Sequence, residues 1–512
     1  MTGGLRWDDE DVEPDELIHD EENDTQGQVD ESIVDYLSEI AEDVAPTVGQ
    51  HTTPELHQSS DVGRFADFET SAPTAINSAS RIDPFYKDIW PSGARASWVS
   101  AKGARDQESL GLSRVPSYLS FDQGEAAARI LDPSRTSFYL DIYAALDHWR
   151  VMTAEQLAAA TGDARLAGGK SAVMRDLFAV GAIDVGVLHN ALHRGKKLAR
   201  ATVYRLASNS VFFQKHVFPE ITYAEWLTTT GADTSRMNGQ GHDRHGVLTS
   251  EVALRVAEYG AHIGSVVGER FSTANALGYT SLGLPSQDTA KFSKSGDMTV
   301  IRKDGARVVI ELTDTVGRAL DQKINTWAKL LSERRHQDSG LSVIFLTAES
   351  GMDKTKTSGW VRNTVYKMIK EAARRYPGPS FDRTANRLGV ADWREWFPAE
   401  GKVSDLFPWL TADFPTEDGT WVQRSALRAQ FAPTGAHLQD SVVTLRSLRG
   451  VPVWLRDGHD DYDVWKFQMA AAGFTSIPVP APARPELYDG VREFGKAWGV
   501  SGDTKPPKRM RP

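Results

Sequence analysis

The stretch that most constrains the fold runs over residues 296–331, where two short apolar runs are followed at once by a helical pattern. Apolar residues alternate along both runs, and the turn signal Lys-Asp-Gly at 303–305 separates them, which predicts a β-hairpin. Apolar residues then recur every three or four positions over 320–331, which predicts a helix with one buried face. Because a buried strand is predicted next, over 341–347, this region favours a sheet covered by helices.

Each strand of the predicted hairpin carries one carboxylate, Asp297 on the first and Glu311 on the second. Hard cations such as Mg²⁺ are usually held by one or two carboxylates together with substrate phosphates. Isolated acidic residues in hairpins also commonly start a strand or face solvent without any further role. The pattern therefore predicts either a metal site at Asp297 and Glu311 or two structural carboxylates.

Composition bounds the protein class before any site is considered. The chain has 512 residues, which suggests two or three domains, and no cysteine, which excludes disulfides, thiol nucleophiles and cysteine-based metal sites. No apolar run is long enough to span a membrane, and the N-terminus lacks the pattern of a signal peptide. We therefore expect a cytoplasmic protein without a membrane partner.

Charge is distributed unevenly along the chain. Within residues 1–50 seventeen Asp or Glu residues stand against Arg6 alone, so the rest of the chain is mildly basic although the whole carries a net charge of -11. Acidic blocks followed by Ser- and Pro-rich text are typical of disorder. Residues 1–115 are therefore predicted to be a disordered tail, acidic at first and then Ser- and Pro-rich.

Residues 135–215 predict a small DNA-binding domain. Three short helical patterns are followed by a strand, a basic loop and a second strand, and the second helix opens with the capping-box pair Thr153 and Gln156. That order is typical of a winged helix, which either docks on DNA or contacts proteins. The predicted DNA-facing residues are Lys170, Ser171, Arg175, Arg194, Lys196, Lys197 and Arg200.

The sequence after residue 215 predicts that the chain is a multi-domain protein of mixed α/β class. Residues 240–380 are expected to form an α/β domain in the order helix, three strands, helix, strand, with a basic helix near the end, over 360–376. A Trp-rich appendage is predicted over 385–475, and 476–512 are a Pro-rich linker and a basic tail.

The αβββαβ order, with Asp297 at the second strand and Glu311 at the third, resembles the core of the restriction-endonuclease-like (PD-(D/E)XK) nucleases. In that family the Asp and Glu bind the divalent metal, and a Lys two residues after the Glu assists the attacking water. Here that position is Thr313. The resemblance implies a metal site of Asp297 and Glu311 for Mg²⁺ or Mn²⁺, and catalytic residues Asp297, Glu311 and Lys323.

The resemblance leaves two further choices at this site open. Glu251 or Glu269 could add a carboxylate, as residues of the first helix or first strand do in some members of the superfamily. Lys303 in the hairpin is a second candidate for the displaced lysine, beside Lys323.

A basic winged helix followed by a core with Glu311, Lys323 and Trp327 is similar to the replication-relaxation family. Those proteins occur on plasmids, conjugative elements and actinobacterial chromosomes. The resemblance implies a role in replication, relaxation or mobilisation, with double-stranded DNA and replication or mobilisation proteins as partners. Thr313 departs from this family too, since an Asp is usual there.

The sequence leaves the activity open among three functions. The first is a DNA-binding protein of a mobile element whose nuclease-like domain is weakened, because Thr313 carries no charge. The second is an active Mg-dependent endonuclease that nicks DNA. The third is a non-enzymatic transcriptional regulator or assembly adaptor with structural carboxylates.

Overall fold

The chain divides into two compact units, residues 1–63 and 64–512, and all residues described by the computed structural model belong to the second. The acidic first part of the predicted tail, the basic loop at 190–200 and the basic C-terminal tail lie outside the described residues. Those described are 77–78, 80–86, 95–112, 122–168, 171–189, 202–207, 212–221, 225, 228–229, 243–272, 295–349, 359–427, 431, 446 and 448–456.

The first of two sheets has four strands and is antiparallel throughout. In chain order the elements are β1 (Arg95–Val99), α1 (Ala101–Ser109), α2 (Gln123–Ile130), α3 (Pro133–Trp149), β2 (Val151–Thr153), α4 (Ala154–Thr161), α5 (Ala172–Ala179), β3 (Ile183–His189) and β4 (Thr202–Leu206). The strand order in the sheet is β1-β3-β4-β2. Strand β2 was not expected, but the three predicted helices, α3, α4 and α5, and the strands β3 and β4 are confirmed.

Strand β1 and helix α1 correct the expectation that residues 1–115 are disordered along their whole length. β1 pairs with β3 from Arg95 opposite His189 to Val99 opposite Val185. The hydroxyl of Ser100 then caps α1 by accepting from the Gly103 N–H at 3.1 Å. The sequence did not predict this strand, because the surrounding composition is Ser-rich and because its partner strand, β3, is distant in the chain.

Helix α4 begins with the capping box that the sequence predicts. The backbone N–H of Gln156 donates to the Thr153 hydroxyl (3.1 Å), and the Gln156 side-chain carbonyl accepts from the Thr153 N–H (3.0 Å). These two bonds satisfy donors that the first turn of a helix would otherwise leave unpaired.

The second sheet has seven strands. In chain order its strands and the helices around them are α6 (Asp243–Tyr259), β5 (Ile263–Gly268), β6 (Met298–Arg302), β7 (Arg307–Thr313), α7 (Arg318–Glu333), α8 (His336–Ser339), β8 (Leu341–Thr347), α9 (Trp360–Arg375), β9 (Leu388–Asp392), α10 (Trp393–Trp396), β10 (Thr411–Pro415) and β11 (Trp421–Ser425). The strand order is β11-β10-β9-β8-β7-β6-β5, with β7, β8 and β9 parallel and the other pairs antiparallel.

The predicted hairpin, helix and strand of residues 296–347 are confirmed. Gly305 takes a φ of 92° in the turn between β6 and β7, a conformation that favours glycine. Alternation along β7 places Val308, Ile310 and Leu312 in one hydrophobic core and Val309 in the other, against α7 and α9. Helices or packed loops therefore cover both faces of this sheet.

Two expectations about domain limits are corrected. β9 pairs in parallel with β8, so the described part of residues 385–475 extends the second sheet and is not a separate appendage. The regions predicted as 135–215 and 240–380 share one hydrophobic core, in which Leu157 of α4 and Val252 of α6 both take part.

The part of the chain that the structure describes contains no helix with the length and apolar character needed to cross a membrane.

Candidate functional site

The candidate site lies where β7 ends and β6 begins. Antiparallel pairing of Met298 with Ile310 brings the residue before β6 next to the end of β7. Asp297 is that residue, and its Oδ2 atom accepts from the backbone N–H of Leu312 at 2.7 Å. The hairpin therefore fixes the position of one carboxylate relative to the other strand.

Glu311 lies on the face of β7 that α7 covers, two residues after Val309. The Trp327 indole N–H donates to Glu311 Oε1 at 2.5 Å, and the Lys323 ammonium lies 2.5 Å from Oε2. Lys323 and Trp327 are four residues apart, so both project from one face of α7. Glu311 is 1% exposed, so these contacts compensate for the hydrogen bonds to water that its carboxyl group loses on burial.

Lys323 also connects the two carboxylates. Its ammonium lies 3.5 Å from Asp297 Oδ1 as well as 2.5 Å from Glu311 Oε2. The structure therefore brings together all three residues that the sequence marked as catalytic. The lysine side chain is 26% exposed, so the cluster opens to solvent on that side.

His245, in the first turn of α6, completes the cluster. Its Nε2 atom lies 3.0 Å from Asp297 Oδ2, on the other side of the carboxylate from Lys323. No local pattern pointed to this contact, because α6 and β6 are separated in the chain. The four-residue spacing predicts that Trp327 lies on the same face of α7 as Lys323. The sequence did not predict the hydrogen bond from the Trp327 indole to Glu311.

The environments of the two carboxyl groups push their pKa values apart. Burial opposes ionisation of Asp297, but attraction to His245 and Lys323 outweighs it and holds its pKa below the usual range. Burial raises the pKa of Glu311 to about 8, despite the attraction of Lys323. Ionisation is therefore favoured at Asp297 and opposed at Glu311.

The carboxyl groups raise the pKa values of both basic partners. Burial disfavours the charge on Lys323, but attraction to Asp297 and Glu311 outweighs it and raises the pKa of the lysine. The pKa of His245 is also raised, because Asp297 more than offsets the effect of burial. The charge of the Asp297 carboxylate is thus balanced by Lys323 within the protein itself.

The donor set does not fit a preformed metal site. Asp297 and Glu311 supply carboxylates, but the Lys323 ammonium stands in contact with both and already supplies the positive charge. Within the described ranges, no group of three or more His, Asp or Glu side chains is arranged to hold a metal. Divalent metal binding would require Lys323 to move.

Of the additional candidates, Glu251 and Lys303 lie elsewhere. Glu251 is buried against Arg81 and Arg255, so it adds no ligand to this site. Glu269 lies just beyond β5, not on a strand. It forms an ion pair with Arg150 at 2.7 Å, accepts from the Ser295 hydroxyl at 3.1 Å and is close enough to Lys323 to raise the pKa of that lysine. Lys303 is exposed in the turn at the far end of β6 from Asp297, so it cannot replace the missing lysine.

Two of the predicted DNA-facing residues are described. Ser171 caps α5, where its hydroxyl accepts from the Val173 N–H at 3.3 Å, and Arg175 is partly exposed one turn later. The others, Lys170, Arg194, Lys196, Lys197 and Arg200, lie outside the described residues.

Comparison of the chain with protein-family models, with curated proteins and with solved structures finds no match. The function is therefore inferred from the residues of the site and from the order of the elements around it.

Proposed function

We propose that this chain is a double-stranded-DNA-binding protein of a plasmid, conjugative element or other mobile element, acting in replication, relaxation or mobilisation. Elements α3 to β4 serve as a winged helix, and α6 to β8 serve as a restriction-endonuclease-like core of weakened catalytic power. Its location is the cytoplasm and its partners are replication or mobilisation proteins. The observation that carries the proposal is the Lys323 ammonium in contact with both Asp297 and Glu311.

The winged-helix part of the proposal is supported by topology. The order helix, strand, helix, helix, strand, strand from α3 to β4, with β4 between β3 and β2, is typical of winged helices. In this arrangement α5 takes the place of the groove-reading helix. Arg175, which is partly exposed on this helix, then contacts a phosphate or a base edge.

The nuclease-like part is supported by the order and direction of strands. β5, β6 and β7 form an antiparallel meander, and β8 returns in parallel to β7 after α7. Asp297 and Glu311 meet at one end of that arrangement. Because the Lys323 ammonium already contacts both Asp297 and Glu311, the core is better suited to holding DNA than to generating a nucleophile through a metal.

Duplex binding tests the first part. Arg175→Ala is expected to weaken binding of a duplex oligonucleotide and to lower the slope of log affinity against log salt by about one unit. Arg335→Ala removes the same charge from an exposed residue before α8 and should leave binding unchanged. Replacing Lys196 and Lys197 with Ala should weaken binding to every sequence. Unchanged affinity in both Arg175→Ala and the double lysine variant would refute the docking mode.

The second candidate is Mg-dependent nicking, because Asp297 and Glu311 converge on one cation that a divalent metal could displace. Supercoiled plasmid is incubated with Mg²⁺ or Mn²⁺ and wild type, Asp297→Asn or Glu311→Gln. The proposal predicts intact plasmid throughout, with duplex binding retained. Metal-dependent nicking by wild type that both variants lose would establish the nuclease. Sequence-specific binding that ignores Mg²⁺ would instead favour a regulator.

A further inference from the structure

A cleft of about 240 Å³ opens at the end of the second sheet's strands that lies opposite the candidate site. Its walls are the last turns of α9, the segment 377–385 and the turn between β10 and β11. Strand β8 ends on the side of the sheet where the candidate site lies, and α9 follows it. Because α9 leads into β9, which runs parallel to β8, the C-terminal end of α9 lies at the opposite end of these strands.

Two cations of α9 converge on this cleft. Lys370 and Arg374 are four residues apart and both line it. A Cβ atom built on Gly419 would lie 2.9 Å from Lys370 Nζ and 3.4 Å from Arg374 Nη2, so both charged groups lie close to one point above the turn. Gly419 has a φ of +84°, and the lack of a side chain there leaves room for them.

Within the described part of the chain these two cations lack acidic partners, unlike Arg362 and Arg375 of the same helix. Arg362 forms ion pairs with Glu395 at 2.6 Å and Asp413 at 3.2 Å, and Arg375 bonds to Glu371 at 3.1 Å. Among the residues that the structure describes, neither Lys370 nor Arg374 forms an ion pair or a side-chain hydrogen bond. Basic residues at a helix C-terminus complement its dipole, but that effect does not require them to converge.

The third cation of the cleft is already balanced. Arg383 forms an ion pair with Glu417 at 3.0 Å and donates to the carbonyl of Gly378 at 3.2 Å. The cleft therefore carries a surplus of two positive charges from Lys370 and Arg374. Two like charges held together repel each other, and an anion between them relieves that repulsion.

We propose that the cleft binds a phosphate group through Lys370 and Arg374. A guanidinium presents paired N–H donors that match phosphate oxygens, and an ammonium adds a point charge with three donors. The open cleft admits a phosphate together with the group that carries it. The phosphate comes either from a nucleic-acid backbone or from a free phosphate compound. The site stands apart from the winged helix and from Asp297 and Glu311, so it does not depend on the proposed function.

Phosphate binding by the full chain tests the inference, followed as broadening of the ³¹P signal of inorganic phosphate. The variant K370A/R374A is expected to bind phosphate at least tenfold more weakly than wild type. The matched control K367A/R375A removes two positive charges from the same helix, outside the cleft, and should bind as wild type does. No broadening by wild type, or equal broadening by both variants, would overturn the inference.

The source of the phosphate is decided by competition. Addition of a duplex oligonucleotide to the phosphate-bound wild type releases phosphate if the backbone is the natural ligand, and leaves it bound if a free phosphate compound is. Both results keep the site. Arg175→Ala separates this inference from the proposed function, since it should weaken duplex binding by the winged helix and leave the ³¹P signal unchanged.

Discussion

At the scale of single residues, Lys323 occupies the position that decides what the candidate site can do. One ammonium contacts two carboxylates of different character, the ionised Asp297 and the buried Glu311 whose pKa is about 8. A lysine on a helix can approach both because Asp297 precedes β6 and Glu311 lies near the end of β7. Thr313, two residues beyond Glu311, carries no charge, and Lys323 of α7 supplies the positive charge beside the two carboxylates.

The raised pKa of Glu311 predicts a dependence of stability on pH. Since the folded value of about 8 exceeds the unfolded value of 4.5, the folded state binds this proton more tightly. The resulting stabilisation is fully present below pH 4.5 and is lost as pH rises through about 8. Glu311→Gln removes this titration, so the free energy of unfolding of wild type should fall relative to the variant across that window.

Chemical denaturation at a series of pH values measures this difference. Each unit of pKa difference corresponds to about 1.4 kcal/mol, so the trend is large enough to detect. Glu371→Gln changes an exposed carboxylate of α9 and provides the matched control. A constant difference between wild type and Glu311→Gln from pH 4.5 to 8 would contradict the assigned environment of Glu311.

At the scale of elements, α4 shows how much a short pattern can determine. Thr153 and Gln156 form both bonds of the predicted capping box, and Thr153 is buried where β2 passes into α4. The cap therefore fixes both the start of a helix and the end of a strand in the first sheet.

Thr153→Ala is expected to lower the free energy of unfolding by about 1–2 kcal/mol, because the N–H of Gln156 loses its acceptor in a buried setting. Thr326→Ala alters a threonine within α7 whose hydroxyl bonds to its own helix at an exposed position, and should change stability by less than about 0.5 kcal/mol. Denaturant midpoints compare the two. Equal midpoints in both variants would show that the capping box contributes little.

At the scale of the whole molecule, a buried ion cluster ties the segment 80–86 to α6. Arg81 forms ion pairs with Glu251 at 3.1 Å and with Glu258, and Arg255 contacts Asp83 at 2.7 Å and Glu251 at 2.9 Å. All five side chains are almost inaccessible to solvent. Burial opposes ionisation of Glu251, but Arg81 and Arg255 outweigh it and lower its pKa to about 2.

Removing one member of such a cluster leaves a buried charge without its partner. Arg81→Met is therefore expected to lower the free energy of unfolding by about 3–5 kcal/mol. Arg335→Met breaks only an exposed pair with Asp338 and should cost less than about 1 kcal/mol. If Arg81→Met has no larger effect than Arg335→Met, the cluster does not hold the segment 80–86 on the fold.

The limits of prediction at this scale follow from distance along the chain. β1 pairs with β3, and β9 extends the second sheet beside β8, yet the sequence did not predict either pairing. The Trp-rich text after residue 385 suggested an aromatic core of its own. Trp393 and Trp396 instead join the hydrophobic core that α3 and α6 share.

The sequence by itself determined β6, β7, α7 and β8, because apolar periodicity within a short window records which face of each element is buried. A resemblance marked Asp297, Glu311 and Lys323 as one site, but it left Lys303 open as an alternative to Lys323. Only the tertiary structure decided that His245 lies beside Asp297 and that Glu251 belongs to a buried ion cluster. It also placed Lys370 and Arg374 over the turn at Gly419. Each of these contacts joins elements far apart in the chain, and no local pattern encodes the identity of a distant partner.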